Sequence, residues 1–201
     1  MPKDMFFAIS SEKREHVIDA CFKEFSTKLY QDITISSLAK KASISRGTFY
    51  NYFDSVGSCL TYLISLLQKE RYAYLPDIFK KNHFDIFRTV RDMFSYDYEE
   101  FLQTKKYSLI YNYILYLRVE HLSYKEHFIL KLLTPLMEMM QVPLYQKDLY
   151  HISEDQFYYT LELFGVMLTD LLLKTEKDGL TKEETFERFD YIVNLIEKGI
   201  K

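Results

Sequence analysis

The fold is decided by residues 33–53, which read Ile33-Thr-Ile-Ser-Ser-Leu-Ala-Lys-Lys-Ala-Ser-Ile-Ser-Arg-Gly-Thr-Phe-Tyr-Asn-Tyr-Phe53. Thr34 can cap one short helix and Ser45 a second, because an N-cap side-chain oxygen accepts a hydrogen bond from an amide of the first turn. Only Ser43 and Ile44 lie between the end of the first helix and the second cap. Two short helices joined so tightly predict a helix-turn-helix unit.

The same stretch carries the local positive charge of the chain. Lys40, Lys41 and Arg46 stand there without an acidic residue, which gives +3 within a chain of net charge −3. Taken alone, a charge run of this size more often marks a solvated helix face. Here Gly47 also leaves room for close approach to a duplex, and nearby hydroxyls can reach phosphates. Those hydroxyls belong to Ser45, Thr48, Tyr50 and Tyr52. The combination favours DNA binding.

Composition limits the fold of the whole chain. Among 201 residues there are only Gly 5 and Pro 4, too few for the many tight turns of all-β sandwiches, barrels or glycine-looped nucleotide folds. An apolar fraction of 48% is ample for a core and argues against disorder. An aromatic fraction of 17% requires a large core or a large interface. The expected class is all-α.

Outside the central stretch, apolar periodicity predicts long amphipathic helices. Capping boxes at Ser123–Glu126, Ser153–Gln156 and Thr181–Glu184 mark three helix starts. Gly179 is the expected end of the helix that begins after Ser153. Pro76 is expected to end or kink the helix that begins near Ser55. The predicted helices cover about 11–28, 55–76, 84–104, 107–118, 123–136, 153–178 and 181–199.

Several classes of protein are not indicated by the sequence. The two cysteines, Cys21 and Cys59, do not make a disulfide framework and suit a reducing compartment. No apolar segment has the length of a secretory signal or a membrane span, so a cytoplasmic protein with no membrane partner is expected. No nucleotide-loop, zinc-protease or serine-hydrolase motif occurs, and the five histidines are scattered. We therefore expect no enzymatic activity, metal or cofactor.

The central stretch resembles a known family. The residues Thr34, Leu38-Ala39, Ala42, Ile44-Ser45, Gly47-Thr48-Phe49-Tyr50 and Tyr52-Phe53 are similar to the N-terminal DNA-binding domain of the TetR/AcrR transcriptional regulators, over about residues 10–57. The resemblance implies a three-helix helix-turn-helix domain at 1–56 and a larger helical domain at 57–201. The second domain would dimerise and bind an effector. The implied function is that of a homodimeric repressor, released from a palindromic operator in double-stranded DNA by a small apolar or amphipathic effector.

The resemblance also assigns roles to residues. Thr34, Tyr50 and Tyr52 are expected at phosphates, while Arg46, Gly47 and Thr48 are expected on or near base edges. The full predicted DNA-binding set is Thr34, Lys40, Lys41, Ser45, Arg46, Gly47, Thr48, Tyr50, Asn51 and Tyr52.

The sequence departs from the family pattern at three positions. Leu29 and Ser43 stand where glycine is usual, and both positions are expected to need a positive φ. Val56 stands where many members have a lysine that reaches a phosphate, so affinity is expected to depend more on Lys40, Lys41 and the tyrosines.

Effector and dimer residues are predicted less directly. Aromatic and methionine side chains suggest an effector pocket that includes Tyr107, Tyr111, Phe128 and Met137. The helix after Ser153 is apolar on more than one face, so the last two helices are expected to form the dimer interface. The predicted interface residues are Phe157, Leu161, Phe164, Leu168, Leu172, Phe186, Phe189 and Val193. Two alternatives remain open: a DNA-binding regulator of this fold without an effector, and a helical interaction scaffold.

Overall fold

The computed structural model describes residues 1–103, 106–123, 126–127, 145 and 150–201. Within these ranges the chain is helical and contains no strand, which confirms the all-α prediction. The helices are α1 (Asp4–Ala8), α2 (Ser11–Phe25), α3 (Ile35–Lys41), α4 (Arg46–Tyr52), α5 (Val56–Tyr72), α6 (Leu75–Lys81), α7 (Ile86–Gln103), α8 (Lys106–Val119), α9 (Glu154–Asp178) and α10 (Lys182–Ile200). A 3-10 turn covers Tyr30–Asp32. None of the helices in these ranges has the length and apolar content needed to cross a bilayer.

The chain folds into two compact units. Unit 1 contains residues 1–70 and 105–122, and unit 2 contains residues 71–104 and 123–201. Helix α8 therefore packs with the N-terminal helices although it lies far along the chain. The predicted boundary at residue 56 was placed at the end of the helix-turn-helix motif. The compact units are instead defined by which residues pack together.

Unit 1 has an aromatic and aliphatic core. Phe6, Phe49 and Phe53 are fully buried, and their rings contact one another in a chain with centroid distances of 4.9 and 5.4 Å. Helix α8 adds Leu109 and Tyr113, which are also buried. This core fixes the helices that carry the predicted DNA-binding residues.

Unit 2 is organised around α7, which packs against both α9 and α10. Phe94 of α7 stacks flat on Phe189 of α10, with ring centroids 3.9 Å apart. Phe87 of α7 contacts Phe164 of α9 at 5.9 Å. The long final helices are thus held by α7 within the same chain.

The predicted helix caps are present where the structure describes them. Ser153 with Gln156 and Thr181 with Glu184 form complete capping boxes, and Gly179 ends α9 with a φ of 66°. The amide of Glu126 donates to the Ser123 hydroxyl at 3.3 Å. The helix predicted after it, and the loop predicted at Pro143, lie outside the described residues.

Three short elements were not predicted, namely α1, the 3-10 turn and α6. The helix predicted to end at Pro76 ends earlier, at Tyr72, and Pro76 lies in the first turn of α6. Proline is favourable at that position, because the first amides of a helix have no partner within it.

Candidate DNA interface

Helices α3 and α4 form a helix-turn-helix unit closed at both starts by side-chain caps. The Thr34 hydroxyl accepts from the Ser37 amide at 3.1 Å, and the Ser37 hydroxyl accepts from the Thr34 amide at 3.1 Å. The Ser45 hydroxyl accepts from the Thr48 amide at 3.0 Å. These bonds satisfy amides that a helix leaves unpaired in its first turn. Both helices are therefore well defined although each has only seven residues.

The turn between them depends on Ser43, which has a φ of 55°. Its conformation lets the Ile44 amide donate to the Ala39 carbonyl at 3.0 Å, which closes the end of α3. The expected positive φ at Ser43 is confirmed. The parallel expectation for Leu29 is wrong, because Leu29 is extended with a φ of −74°. The Leu29 side chain therefore causes no backbone strain.

The two faces of the unit differ sharply. Leu38, Ala39 and Phe49 are buried, whereas the three cations Lys40, Lys41 and Arg46 are exposed. Of the predicted DNA-binding residues, eight are exposed: Thr34, Lys40, Lys41, Ser45, Arg46, Gly47, Tyr50 and Asn51. Thr48 is half-buried, and its hydroxyl lies 2.8 Å from that of Ser45. The structure thus leaves nine of the ten predicted residues exposed or half-buried.

Tyr52 is the exception. It is only 3% exposed, and its ring packs against Phe6 of α1 with a centroid distance of 5.4 Å. A side chain held in the core in this way supports the position of α4. We therefore remove Tyr52 from the set of residues that face DNA.

The N-terminal segment holds the end of α4, a role that sequence reasoning missed. The Lys3 amide donates to the Tyr52 carbonyl at 2.9 Å, and the Lys3 ammonium donates to the Tyr50 carbonyl at 2.8 Å. The same ammonium lies 2.7 Å from a carboxylate oxygen of Asp54. These bonds satisfy carbonyls at the last turn of α4, which has no partner for them within the helix. Met5, Phe6 and Phe7 are consecutive apolar residues without a helical period, so no sequence pattern marked this segment.

Helix α2 contributes a buried carboxylate, Glu24, close to α3. Glu24 of α2 is 4% exposed, and its carboxylate lies 2.6 Å from the Lys28 ammonium. Burial opposes ionisation, but hydrogen bonds from Lys28 and Ser37, with the charges of Lys28 and Lys41, outweigh it and lower the pKa of Glu24. The buried carboxylate is therefore ionised, and the Lys28 ammonium offsets its charge.

A comparison with protein-family models identifies this domain. Residues 17–58 match the model described as "Bacterial regulatory proteins, tetR family". The chain carries the N-terminal domain of the TetR family. Comparison with curated protein sequences finds no match.

Solved structures extend the TetR likeness to the whole chain. A TetR family transcriptional regulator from Chloroflexus aurantiacus has 20% identity and a TM-score of 0.56, and the match covers 100% of this chain and 98% of that one. One from Marinobacter aquaeolei has 15% identity and a TM-score of 0.60, with 94% and 95% covered. The fatty acid degradation regulator FadR from Bacillus halodurans has 18% identity and a TM-score of 0.53, with 95% and 97% covered. The chain has the fold of a TetR-family DNA-binding transcriptional regulator.

The residues predicted for an effector pocket are only partly described. Phe128 and Met137 lie outside the described residues. Tyr107 and Tyr111 belong to α8, and the Tyr111 side chain is 39% exposed. The effector pocket of this chain stays a prediction.

The predicted dimer residues require revision. Six of them are buried within unit 2 of a single chain, where they form its core: Phe157, Leu161, Phe164, Leu172, Phe189 and Val193. Leu168 and Phe186 pack against that core and are partly buried. The sequence identified the helices as apolar on several sides, but it did not show that α7 covers the most apolar side.

A different set of apolar side chains faces outward from the last two helices. On α9 these are Tyr159, Leu163 and Val166, exposed at 60%, 51% and 48%. On α10 they are Tyr191 and Leu195, exposed at 70% and 60%. Between the helices lies an open groove of about 600 Å³, which is lined by four apolar residues, Met167, Leu171, Tyr191 and Ile192, and by four charged ones, Asp170, Lys174, Glu187 and Arg188. We call these five exposed side chains and the groove the α9–α10 apolar face.

Proposed function

We propose that this chain is a sequence-specific transcriptional regulator that binds a palindromic operator as a homodimer. The observation that carries the proposal is the exposed basic and hydroxyl-bearing face of α3 and α4 on a fully buried core. Such a unit presents its second helix to the major groove of DNA. The proposal involves no catalytic activity.

Gly47 supports close approach of a duplex to α4. A methyl group placed on Gly47 would meet only the Ser45 hydroxyl, at 3.7 Å, so packing within the chain does not require glycine there. Its backbone is helical, so no positive φ requires glycine either. Glycine inside a helix is less favourable than alanine by up to about 1 kcal/mol. Contact with a ligand outside the chain explains a glycine that the chain itself does not need.

The exposed residues divide into two kinds of contact. Lys40, Lys41 and the Tyr50 hydroxyl suit phosphate oxygens, which set affinity and its dependence on salt. Arg46, at the start of α4, can donate two hydrogen bonds to one guanine in the major groove. Asn51 can pair with an adenine in the same way. Val56 is a half-buried residue at the start of α5 and supplies no charge.

The α9–α10 apolar face is the proposed site of dimerisation. Tyr159, Leu163 and Val166 follow the spacing of one helical face, and Tyr191 and Leu195 do so on α10. An exposed apolar face of this kind is typical of a surface that another protein covers. A second copy related by two-fold symmetry places the same face on both sides of the contact. Two copies would present two α4 helices to two symmetric half-sites.

We further propose that a small apolar or amphipathic effector releases the DNA, which makes the protein a repressor. An effector acts in this way only if it binds more tightly to a dimer whose α4 helices do not match the operator. The alternative is a regulator of the same fold that has no effector. A protein acting on the bacterial chromosome would reside in the cytoplasm.

Selection from a library of random duplexes tests the proposal. We expect the full chain to enrich a two-fold symmetric site, and we expect Lys40→Ala with Lys41→Ala to weaken its binding and reduce the salt dependence. The control is Lys198→Ala, which removes an exposed cation from α10 and should leave binding unchanged. Enrichment of no sequence would refute the proposed function.

A further inference from the structure

Helix α8 has an unusual place in the chain. It belongs to unit 1, yet the residues before it, 71–104, and after it, 123–201, belong to unit 2. Both ends of α8 are therefore connected through the chain to unit 2, so a rearrangement of unit 2 is transmitted to both ends of the helix. What α8 touches within unit 1 then decides which parts of that unit respond.

One side chain of α8 holds the end of α2 and the turn that follows it. Asn112 is 2% exposed, and its amide group makes three hydrogen bonds to backbone more than 80 positions away. Its nitrogen donates to the carbonyls of Phe25 at 2.6 Å and Lys28 at 2.9 Å. Its oxygen accepts from the Tyr30 amide at 2.5 Å. Few side chains could replace it, because the site needs two donors and an acceptor without charge.

A second side chain of α8 lies against the start of α5. The ring of Tyr116 covers Gly57, where a methyl group would lie 2.8 Å from its Cζ atom. Tyr116 also contacts the ring of Tyr30, with centroids 5.3 Å apart. A side chain at position 57 would therefore have to displace the Tyr116 ring.

These two attachments flank the DNA-facing segment. Asn112 fixes the chain at residues 25–30, which end four positions before Thr34, and Tyr116 contacts residue 57, five positions after the end of α4. Residues 34–52 lie between the two attachment points. Both points belong to a single helix and are one helical turn apart on it.

We propose that Asn112 and Tyr116 are positioning residues that attach both ends of the α3–α4 unit to α8, so that DNA binding and the state of α8 are coupled. The coupling part rests on the proposed function, whereas the attachment itself does not. Because coupling is reciprocal, DNA bound at α3 and α4 must stabilise α8, although α8 carries none of the proposed DNA contacts.

The attachment is tested without DNA by amide hydrogen exchange of the full chain. Asn112→Ala removes all three hydrogen bonds, and we expect amides in residues 26–34 to exchange at least about tenfold faster. Arg118→Ala, an exposed change on the same helix, is the control and should leave them unchanged. Equal protection of residues 26–34 in Asn112→Ala and wild type would overturn the attachment.

The coupling is tested by the same measurement with the selected duplex. In the wild type, we expect DNA to slow exchange in residues 34–51 and also in residues 106–119, the latter by about 5- to 150-fold. In Asn112→Ala, DNA should still slow amide exchange in residues 34–51. The DNA-induced slowing in residues 106–119 should be smaller than in wild type, when each is measured against the DNA-induced slowing in residues 11–22 of α2. The same slowing of α8 in both proteins would refute the coupling. Failure to select any duplex would instead count against the proposed function.

A substitution at Gly57 provides a second test if Asn112→Ala does not fold. Gly57→Ala should displace the Tyr116 ring and weaken binding to the selected duplex by about 5- to 150-fold. Adding Tyr116→Leu makes room for the new methyl group and should restore part of the affinity. With or without a selected duplex, Gly57→Ala should also speed amide exchange in residues 26–34, because Tyr116 contacts Tyr30. If Gly57→Ala changes neither exchange nor affinity, the role of Tyr116 is wrong.

Discussion

At the scale of single residues, Gly47 gives the clearest separation of stability from function. Gly47→Ala adds a methyl group to an exposed helical position that has space for it. We expect the free energy of unfolding to rise by up to about 1 kcal/mol, because alanine is the better helix former. We expect affinity for the selected duplex to fall, because the methyl group lies where DNA approaches. Urea unfolding and a binding titration of the same variant check both parts, and unchanged DNA affinity would contradict this role for Gly47.

Buried tyrosines predict how stability changes at alkaline pH. Burial raises the pKa of Tyr30, Tyr113 and Tyr150 to about 12 from an ordinary value of 10.0. Below pH 10 these groups are protonated in both the folded and the unfolded chain, so their contribution to stability is fully present. Between pH 10 and about 12 the unfolded chain releases protons that the folded chain keeps, so stability falls.

The variant Tyr113→Phe should reduce the slope of this loss, since it removes one of the three groups. Urea unfolding of wild type and variant at about pH 9 and pH 11 measures it. Identical slopes would show that Tyr113 ionises normally in the folded chain.

Local signals in the sequence predicted some residues well and others poorly. Thr34 and Ser45 were correctly predicted as caps, because capping depends on residues within three positions. The burial of Tyr52 could not be predicted, since it depends on Phe6, which is distant in sequence. Leu29 was expected to need a positive φ on the family pattern alone, and this chain instead leaves α2 through an extended residue.

At the scale of elements, α1 is a support for α4 that the family match at residues 17–58 does not include. Phe6 is fully buried among Tyr52, Phe53 and Tyr62, whereas its neighbour Phe7 is 50% exposed. Phe6→Ala should lower the free energy of unfolding by about 3–5 kcal/mol, as for other buried phenylalanines. Phe7→Ala is the matched control and should cost much less. Equal effects in urea unfolding would show that α1 does not depend on the burial of Phe6.

Helix boundaries were predicted better than helix partners. Periodicity and capping boxes indicated α9 and α10 closely, because both signals are local. The surface that each helix buries depends on which other helices reach it. The sequence predicted Phe189 at a dimer interface, but in the structure Phe94 of α7 stacks flat against it within the same chain.

At the scale of the whole molecule, the α9–α10 apolar face predicts the oligomeric state. Leu163→Glu places a charge on that face without touching the core, because Leu163 is 51% exposed. We expect this variant to sediment as a folded monomer under conditions where wild type is a dimer. Lys177→Glu, an exposed charge change near the end of α9, is the control and should remain dimeric. A monomeric wild type at micromolar concentration would refute the proposed dimer.

The division into compact units could not have been predicted from the motif. The helix-turn-helix signal ends near residue 57, and nothing local to residues 105–122 indicates that they pack with the N-terminal helices. That packing depends on contacts such as those of Asn112 with the end of α2, which span more than 80 positions.

The claim that α4 reads DNA sequence is tested most directly by one titration. The selected duplex and a scrambled duplex of the same length are titrated with wild type and with Arg46→Ala at one fixed salt concentration. We predict that wild type binds the selected duplex at least about 10³-fold more tightly than the scrambled one. Arg46→Ala should reduce that ratio by about 5- to 150-fold, with a much smaller change for the scrambled duplex. Equal affinity of wild type for the two duplexes, or an unchanged ratio in Arg46→Ala, would contradict the claim.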